Sequence, residues 1–120
     1  MVAGGATSED CVFCRIVRGE FETAFVAESD LAVAFRDLHP QAPTHVLVVP
    51  RVHVVALRDL DDDALAAGLL RLATEVARCE GLTEGGGFRV LTNDGPDAGQ
   101  TVDHLHLHVL GGRPLPAPLA

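Results

Sequence analysis

Apolar positions in the chain recur with two different periods. Over residues 59–81, "DLDDDALAAGLLRLATEVARCEG", Leu65, Leu69, Leu72 and Val76 return at spacings of four, three and four. That is one stripe of a helix. Acidic residues crowd its start, where the helix dipole favours them, and Gly81 is a stop. Ala66, Leu70, Ala73 and Ala77 widen the arc beyond what one small sheet covers. A shorter helix is predicted in "DCVFCRIVRG", residues 10–19, capped by Asp10 and ended by Gly19.

The remaining apolar runs are short, β-branched and bounded by turn residues, which predicts strands. They are "TAFVAE" (23–28), "LAVAFRD" (31–37), "HVLVVP" (45–50), "GGGFRVLTN" (85–93) and "VDHLHLHVL" (102–110). "LHPQAPT" and "DGPDAGQT" are the connections between them. Residues 1–9 read as a flexible tail and residues 113–120 as a proline-rich one. Residues 10–120 form a single domain without internal repeats. The order of elements predicts an α+β fold with a mainly antiparallel sheet.

The last strand carries His104, His106 and His108. Residues two apart on a strand share a face, so the three imidazoles line one side, and Leu105, Leu107 and Val109 line the other. On a helix each step would turn by about 200° and scatter them. Clustered imidazoles serve metal ligation, acid–base work or nucleophilic attack; a merely polar strand face is the bland alternative. The preceding loop, with Gly95 and Gly99 among Asn93, Gln100 and Thr101, allows backbone N–H groups close to a phosphate. It is not a P-loop, because no GK[ST] is present.

Composition narrows the partners. Nine Lys+Arg stand against 17 Asp+Glu, a formal net charge of −8, which disfavours a nucleic-acid polymer. One small anion held by backbone amides remains compatible. Trp and Tyr are absent, so base stacking rests on five Phe at most. No apolar run reaches the roughly 20 residues of a membrane span, and the first residues lack a signal-peptide pattern, so a cytoplasmic protein without a membrane partner is expected. Cys11, Cys14 and Cys79 make an odd number of cysteines. The C-x-x-C of Cys11 and Cys14 is open to redox, metal or chance readings, while Cys79 is read as an ordinary helix residue.

"HLHLHVL" (104–110) fits the His-φ-His-φ-His-φ-φ pattern, with φ apolar. "CVFCRIVRGE", "AFRDLHPQAPTHVLVVPRVH" and "NDGPDAGQTVDHLHLHVLGGRPL" extend the match, in order, across about residues 11–115. The sequence thereby resembles the histidine-triad (HIT) family, and in particular its Hint branch of purine nucleoside phosphoramidases; "GGRPL" favours that branch over the diadenosine-polyphosphate hydrolases. The resemblance implies a five-stranded antiparallel sheet with two helices, and a homodimer joined into a continuous ten-stranded sheet. It implies a hydrolase of purine nucleoside 5'-phosphoramidates working through a covalent nucleotidyl-histidine. Alternatives are a non-catalytic nucleotide-binding regulatory module and a dinucleoside polyphosphate hydrolase.

Residue by residue, the resemblance makes His106 the nucleophile and gives His108 the phosphate contact and the leaving-group proton. His104 and His45 become their supporting network. Asn93, Gly99, Gln100 and Thr101 would hold the phosphate and leaving-group side, Thr101 standing where the family usually has Ser. Asp37 would accept the ribose hydroxyls, although it reads equally as a turn residue before His39-Pro40. Phe13, Ile16, Phe21, Phe35 and Leu38 would wall the purine of an AMP- or GMP-type ligand, or be plain core. Asp103 stands where relatives often have an aromatic. Cys11, Cys14, His53 and His104 match a structural zinc site of some bacterial relatives, the alternative being two packed thiols and a surface histidine. No cofactor is expected for catalysis itself.

Overall fold

The computed structural model describes residues 9–116. Residues 1–8 of the expected N-terminal tail and 117–120 of the proline-rich tail lie outside them. Helix α1 (Val12–Val17) is followed by β1 (Ala27–Glu28), β2 (Ala32–Arg36), β3 (Thr44–Pro50), helix α2 (Asp63–Cys79), β4 (Phe88–Leu91) and β5 (Leu107–Gly111). The five strands form one antiparallel sheet in the order β1-β2-β3-β5-β4. This is the five-stranded, two-helix architecture expected.

All seven residues of β3 are buried, because the sheet is covered on both faces. On one face α2 lays down Leu65, Leu69, Leu72, Ala73, Val76 and Ala77 against Ala32, Ala34, Val46, Val48, Leu105, Leu107 and Val109. Its stripe is the one the spacing predicts, and the Asp62 carboxylate caps it by accepting from Leu65 N–H at 3.0 Å. Leu70, on the flank of that arc, stays 59% exposed. On the other face Phe13 of α1 packs with Val33, Phe35, Leu47 and Val49.

Three boundaries differ from the sequence reading. The run at 23–28 contributes only a two-residue strand, since β1 is an edge whose sole neighbour is β2. The N-cap of α1 is Cys11, not Asp10: Cys11 has the extended backbone, and its Sγ accepts from Cys14 N–H at 3.4 Å. The last strand starts at Leu107, not Val102. Its partners run out there, with Val48 opposite Leu107 and Leu91 opposite His108, and residues 102–104 form a bend.

The strand ends at glycines for a steric reason. Gly112 has φ +99°, and a Cβ there would come within 2.9 Å of the Pro43 side chain. β4 closes the far edge of the sheet with Phe88 and Val90 on one face, 38% and 36% exposed. Among the described residues no helix is long and apolar enough to cross a membrane.

Candidate active site

Although His104 and His106 precede the hydrogen-bonded ladder, the alternation persists through them. Leu105, Leu107 and Val109 join the core under α2. The histidines take the opposite side, where the Phe13 ring meets His104 and His106 edge-on at 5.9 and 5.2 Å. The off-ladder segment is pinned instead by Leu105 N–H, which donates to the Val54 carbonyl at 2.6 Å.

Hydrogen bonds to backbone groups of known polarity fix the neutral tautomers. His106 Nδ1 lies 2.7 Å from the His104 carbonyl. A carbonyl only accepts, so Nδ1 carries the proton and Nε2 keeps its lone pair. Gln41 N–H donates to His45 Nδ1 at 3.0 Å, which puts the His45 proton on Nε2. That Nε2–H faces His108 Nδ1 at 2.9 Å, so His108 carries its proton on Nε2. His108 Nε2 is buried and has no hydrogen-bond partner. The His106 and His108 rings lie 5.0 Å apart. One lone pair and one unpartnered N–H, on adjacent rings, are the parts of a nucleophile and a proton donor.

Burial favours the neutral form of His45, His104 and His108. It pushes His104 and His108 down to about 4, with neighbouring imidazoles adding to the effect. Burial also lowers His45, against the pull of the Asp37 carboxylate, whose Oδ2 is 3.4 Å from His45 Nε2. The other Asp37 oxygen accepts from His39 N–H at 2.8 Å, so this residue is a turn-former and a neighbour of the histidines at once.

A second cluster lies behind His104. Cys11 Sγ, Cys14 Sγ, His53 Nδ1 and His104 Nδ1 all fall within 4.8 Å of one another. Three of the S···N separations are 3.2, 3.3 and 3.4 Å. A tetrahedral centre with Zn–S about 2.3 Å and Zn–N about 2.0 Å has S···N edges of about 3.5 Å, so the set fits such an ion. His104 Nε2–H donates to the Pro50 carbonyl at 3.0 Å, which leaves the Nδ1 lone pair turned to the thiols. The four side chains can hold a metal ion as they stand.

The remaining expected residues divide. Phe13, Phe35 and Ile16 pack together, with Phe25, which the sequence reading overlooked although it sits in an apolar run. Phe21 is 47% exposed under the Arg15 guanidinium, and Leu38 is 90% exposed at its turn; neither joins that cluster. Asn93 is half-buried just beyond β4, and Gly99 takes the left-handed backbone that its loop requires. Gln100 binds its own loop: Oε1 accepts from Gly95 N–H at 2.8 Å, and Nε2 donates to the Val55 and Val102 carbonyls at 2.7 and 3.0 Å. Thr101 is exposed on the rim beside Cys11, His53 and Asp103. Cys79 is exposed on α2, beside Glu75. An Arg58–Asp94 pair, with contacts of 2.6 and 2.8 Å, clamps the same loop. No spacing in the sequence signals it.

The HIT domain family matches residues 18–115. The chain belongs to that family. An uncharacterized HIT-like protein of Synechococcus elongatus is 47% identical to it over 113 residues, 92% of this chain and 97% of the relative. The purine nucleoside phosphoramidase of Escherichia coli K12 is 37% identical over 115 residues, 94% of this chain and 96% of that one. A crystal structure of a HIT family hydrolase from Legionella pneumophila superposes with a TM-score of 0.86 at 41% identity, covering 92% of this chain and all of the other.

The neutral histidines of this HIT domain make acid stability predictable. A histidine whose folded pKa lies below its unfolded 6.5 takes up protons more readily when unfolded. Stability is therefore fully present above pH 6.5 and is lost as pH falls from 6.5 towards about 4, by at most about 3 kcal/mol for His104 and by less for the more solvent-screened His108. Urea midpoints of chelator-treated protein should drop steadily over that window, and His108→Asn should flatten the slope. Equal midpoints at pH 7.5 and 4.5 would show that these imidazoles are not held neutral.

Proposed function

We propose that the protein is a hydrolase of purine nucleoside 5'-phosphoramidates. The observation that carries this reading is the tautomer pairing: a His106 Nε2 lone pair beside a buried, unpartnered His108 Nε2–H. The family membership and the phosphoramidase relative support it.

In this mechanism the bound phosphate anion raises the proton affinity of the His45–His108 pair, because an adjacent opposite charge favours the cation. Asp37 faces the His45 Nε2–H and stabilises the same charge. His106 Nε2 attacks the α-phosphorus. The P–N bond to the leaving group breaks, and the amine departs with the proton from His108 Nε2. The nucleotidyl group now sits on His106 Nε2, while Nδ1–H stays on the His104 carbonyl. A water then gives its proton to the vacated His108 Nε2 as its oxygen bonds to phosphorus. The P–N bond to His106 breaks, the electron pair returns to Nε2, and the nucleoside monophosphate is released.

Phe13, Ile16, Phe21, Phe35 and Leu38 are assigned to the base and Asp37 to the ribose. Asn93, Gly99 and Thr101 are assigned to the phosphate and leaving-group side. Gln100 contributes by holding the loop in place. Cys11, Cys14, His53 and His104 would hold a structural zinc ion, which supplies a cross-link between α1, the segment after β3 and the 102–104 bend. The chain is proposed to pair with a second copy across the exposed β4 edge, making one ten-stranded sheet, as an unpaired edge with apolar Phe88 and Val90 invites. The protein is proposed to work in the cytoplasm.

His106→Asn should lower hydrolysis of an AMP phosphoramidate by several orders of magnitude, while circular dichroism and AMP binding by calorimetry stay close to wild type. Turnover near the wild-type rate would remove His106 from the reaction. For the metal, elemental analysis of protein never exposed to chelator should find about one zinc per chain, and Cys14→Ser should lose it. A content well below that would leave the four residues as packed thiols and imidazoles. Light scattering at micromolar concentration should give twice the 12.6 kDa of the chain, and Val90→Lys should shift it towards the single-chain mass. A wild-type protein at 12.6 kDa would rule the pairing out.

A further inference from the structure

Thr92 is the first residue past β4, and its hydroxyl has a single hydrogen bond: Oγ1–H donates to the His106 carbonyl at 2.7 Å. The place is special. The last registered pair of β4 and β5 is Leu91 with His108, and beyond it the two chains part. Continued pairing would have supplied backbone partners to residues 106 and 107. Instead the chain turns away at Asn93 into the glycine loop, and the carbonyl of buried His106 is left to a side chain. Buried carbonyls are rarely left unpaired, so the hydroxyl meets a need created by the divergence itself.

We propose that Thr92 is a positioning residue for the His106 imidazole, its hydroxyl holding the His106 backbone where β4 and β5 separate. The proposal rests on His106 as the nucleophile and adds a residue to that assignment. Residue 106 is then gripped twice: the ring through Nδ1–H to the His104 carbonyl, and the main chain through its own carbonyl to Thr92, both at 2.7 Å. The neighbouring Leu105 N–H to Val54 bond fixes the strand from the other side. Because Asn93 follows directly and Asp94 is clamped by Arg58, the same hydroxyl also joins the nucleophile's strand to the start of the phosphate loop. A small displacement of a nucleophile costs rate more than binding, since the near-attack geometry is lost while ground-state contacts survive.

The test compares Thr92→Val, which keeps the shape and removes the donor, with Thr92→Ser, which keeps the donor. On an AMP phosphoramidate, Thr92→Val should lower kcat by about three- to tenfold, the range of one hydrogen bond, with KM and the Kd for AMP within about twofold of wild type. Thr92→Ser should recover most of kcat. A readout independent of substrate is the solvent exchange of the His106 Nδ1–H proton by NMR, which should quicken in Thr92→Val and not in Thr92→Ser. Unchanged kcat and unchanged exchange in Thr92→Val would overturn the proposal. So would Thr92→Ser as impaired as Thr92→Val, or a loss confined to KM. If wild-type protein turned over no phosphoramidate while the exchange rates still separated the variants, the positioning role would stand and the proposed reaction would fall.

Discussion

The hydrogen bond from His106 Nδ1 to the His104 carbonyl is the contact on which the rest of the site depends. It decides which nitrogen of His106 is free. It also makes the position of the ring a function of the backbone two residues earlier. That backbone is not part of the sheet; it is a bend. Its placement comes from the His104 side chain, wedged between the Pro50 carbonyl and the two thiols, and from the Leu105–Val54 bond. Cys11 and Cys14, at the start of α1, therefore bear on the His106 ring through one covalent residue and one hydrogen bond. Any ion held by Cys11, Cys14, His53 and His104 would stiffen the same path without approaching the phosphorus.

The fold supplies this arrangement by covering both faces of one sheet differently. The α2 face is apolar except at the end where Arg36 and Thr44 meet Glu80, and it accounts for most of the core. The other face is closed by a single short helix, so it mixes aromatic packing with imidazoles that are buried yet hydrogen-bonded. A buried imidazole without partners would be costly; here His45, His104 and His106 each bond a backbone group, and the buried orphan among the described residues, His108 Nε2, lies where the proposed mechanism needs a donor.

Much of this was legible in the sequence because it depends on local period. Leu65, Leu69, Leu72 and Val76 announce α2, and the His-Leu alternation announces which side chains share a face. What stayed hidden depends on partners far along the chain. No spacing tells that the ladder stops at Leu107, since that is set by where β4 ends and by where β3, which runs on to Pro50, stops pairing with β5 at Val48. An Asp beside a Cys reads as the better helix cap, and only the tertiary pull on Cys11 reverses the choice. The amide of Gln100 looks as apt for a phosphate as for a loop, and its carbonyl partners at Val55 and Val102 are visible only in three dimensions. Leu38 is 90% exposed at its turn beside Asp37, with no core residue covering it, an exposure that the apolar residue's place in the sequence does not announce.

Charge brings these threads together. The chain is strongly acidic, and Arg58 at the glycine loop is paired with Asp94, so little long-range attraction draws an anion in. Six of the nine arginines are held in surface ion pairs with carboxylates. Anion binding then has to come from short-range donors: loop amides and ring N–H groups. Such donors do not need a permanent positive charge, and the burial that lowers His108 to about 4 favours its neutral ring. A phosphate entering that low-dielectric setting would itself create the cation it needs, by raising the proton affinity of the rings beside it. In the proposed reaction the cationic proton donor would then form mainly when there is a leaving group to receive its proton. Burial of the histidines is thus both the source of the expected acid lability and, in the proposed reaction, the condition that would couple the charge of His45 and His108 to a bound phosphate.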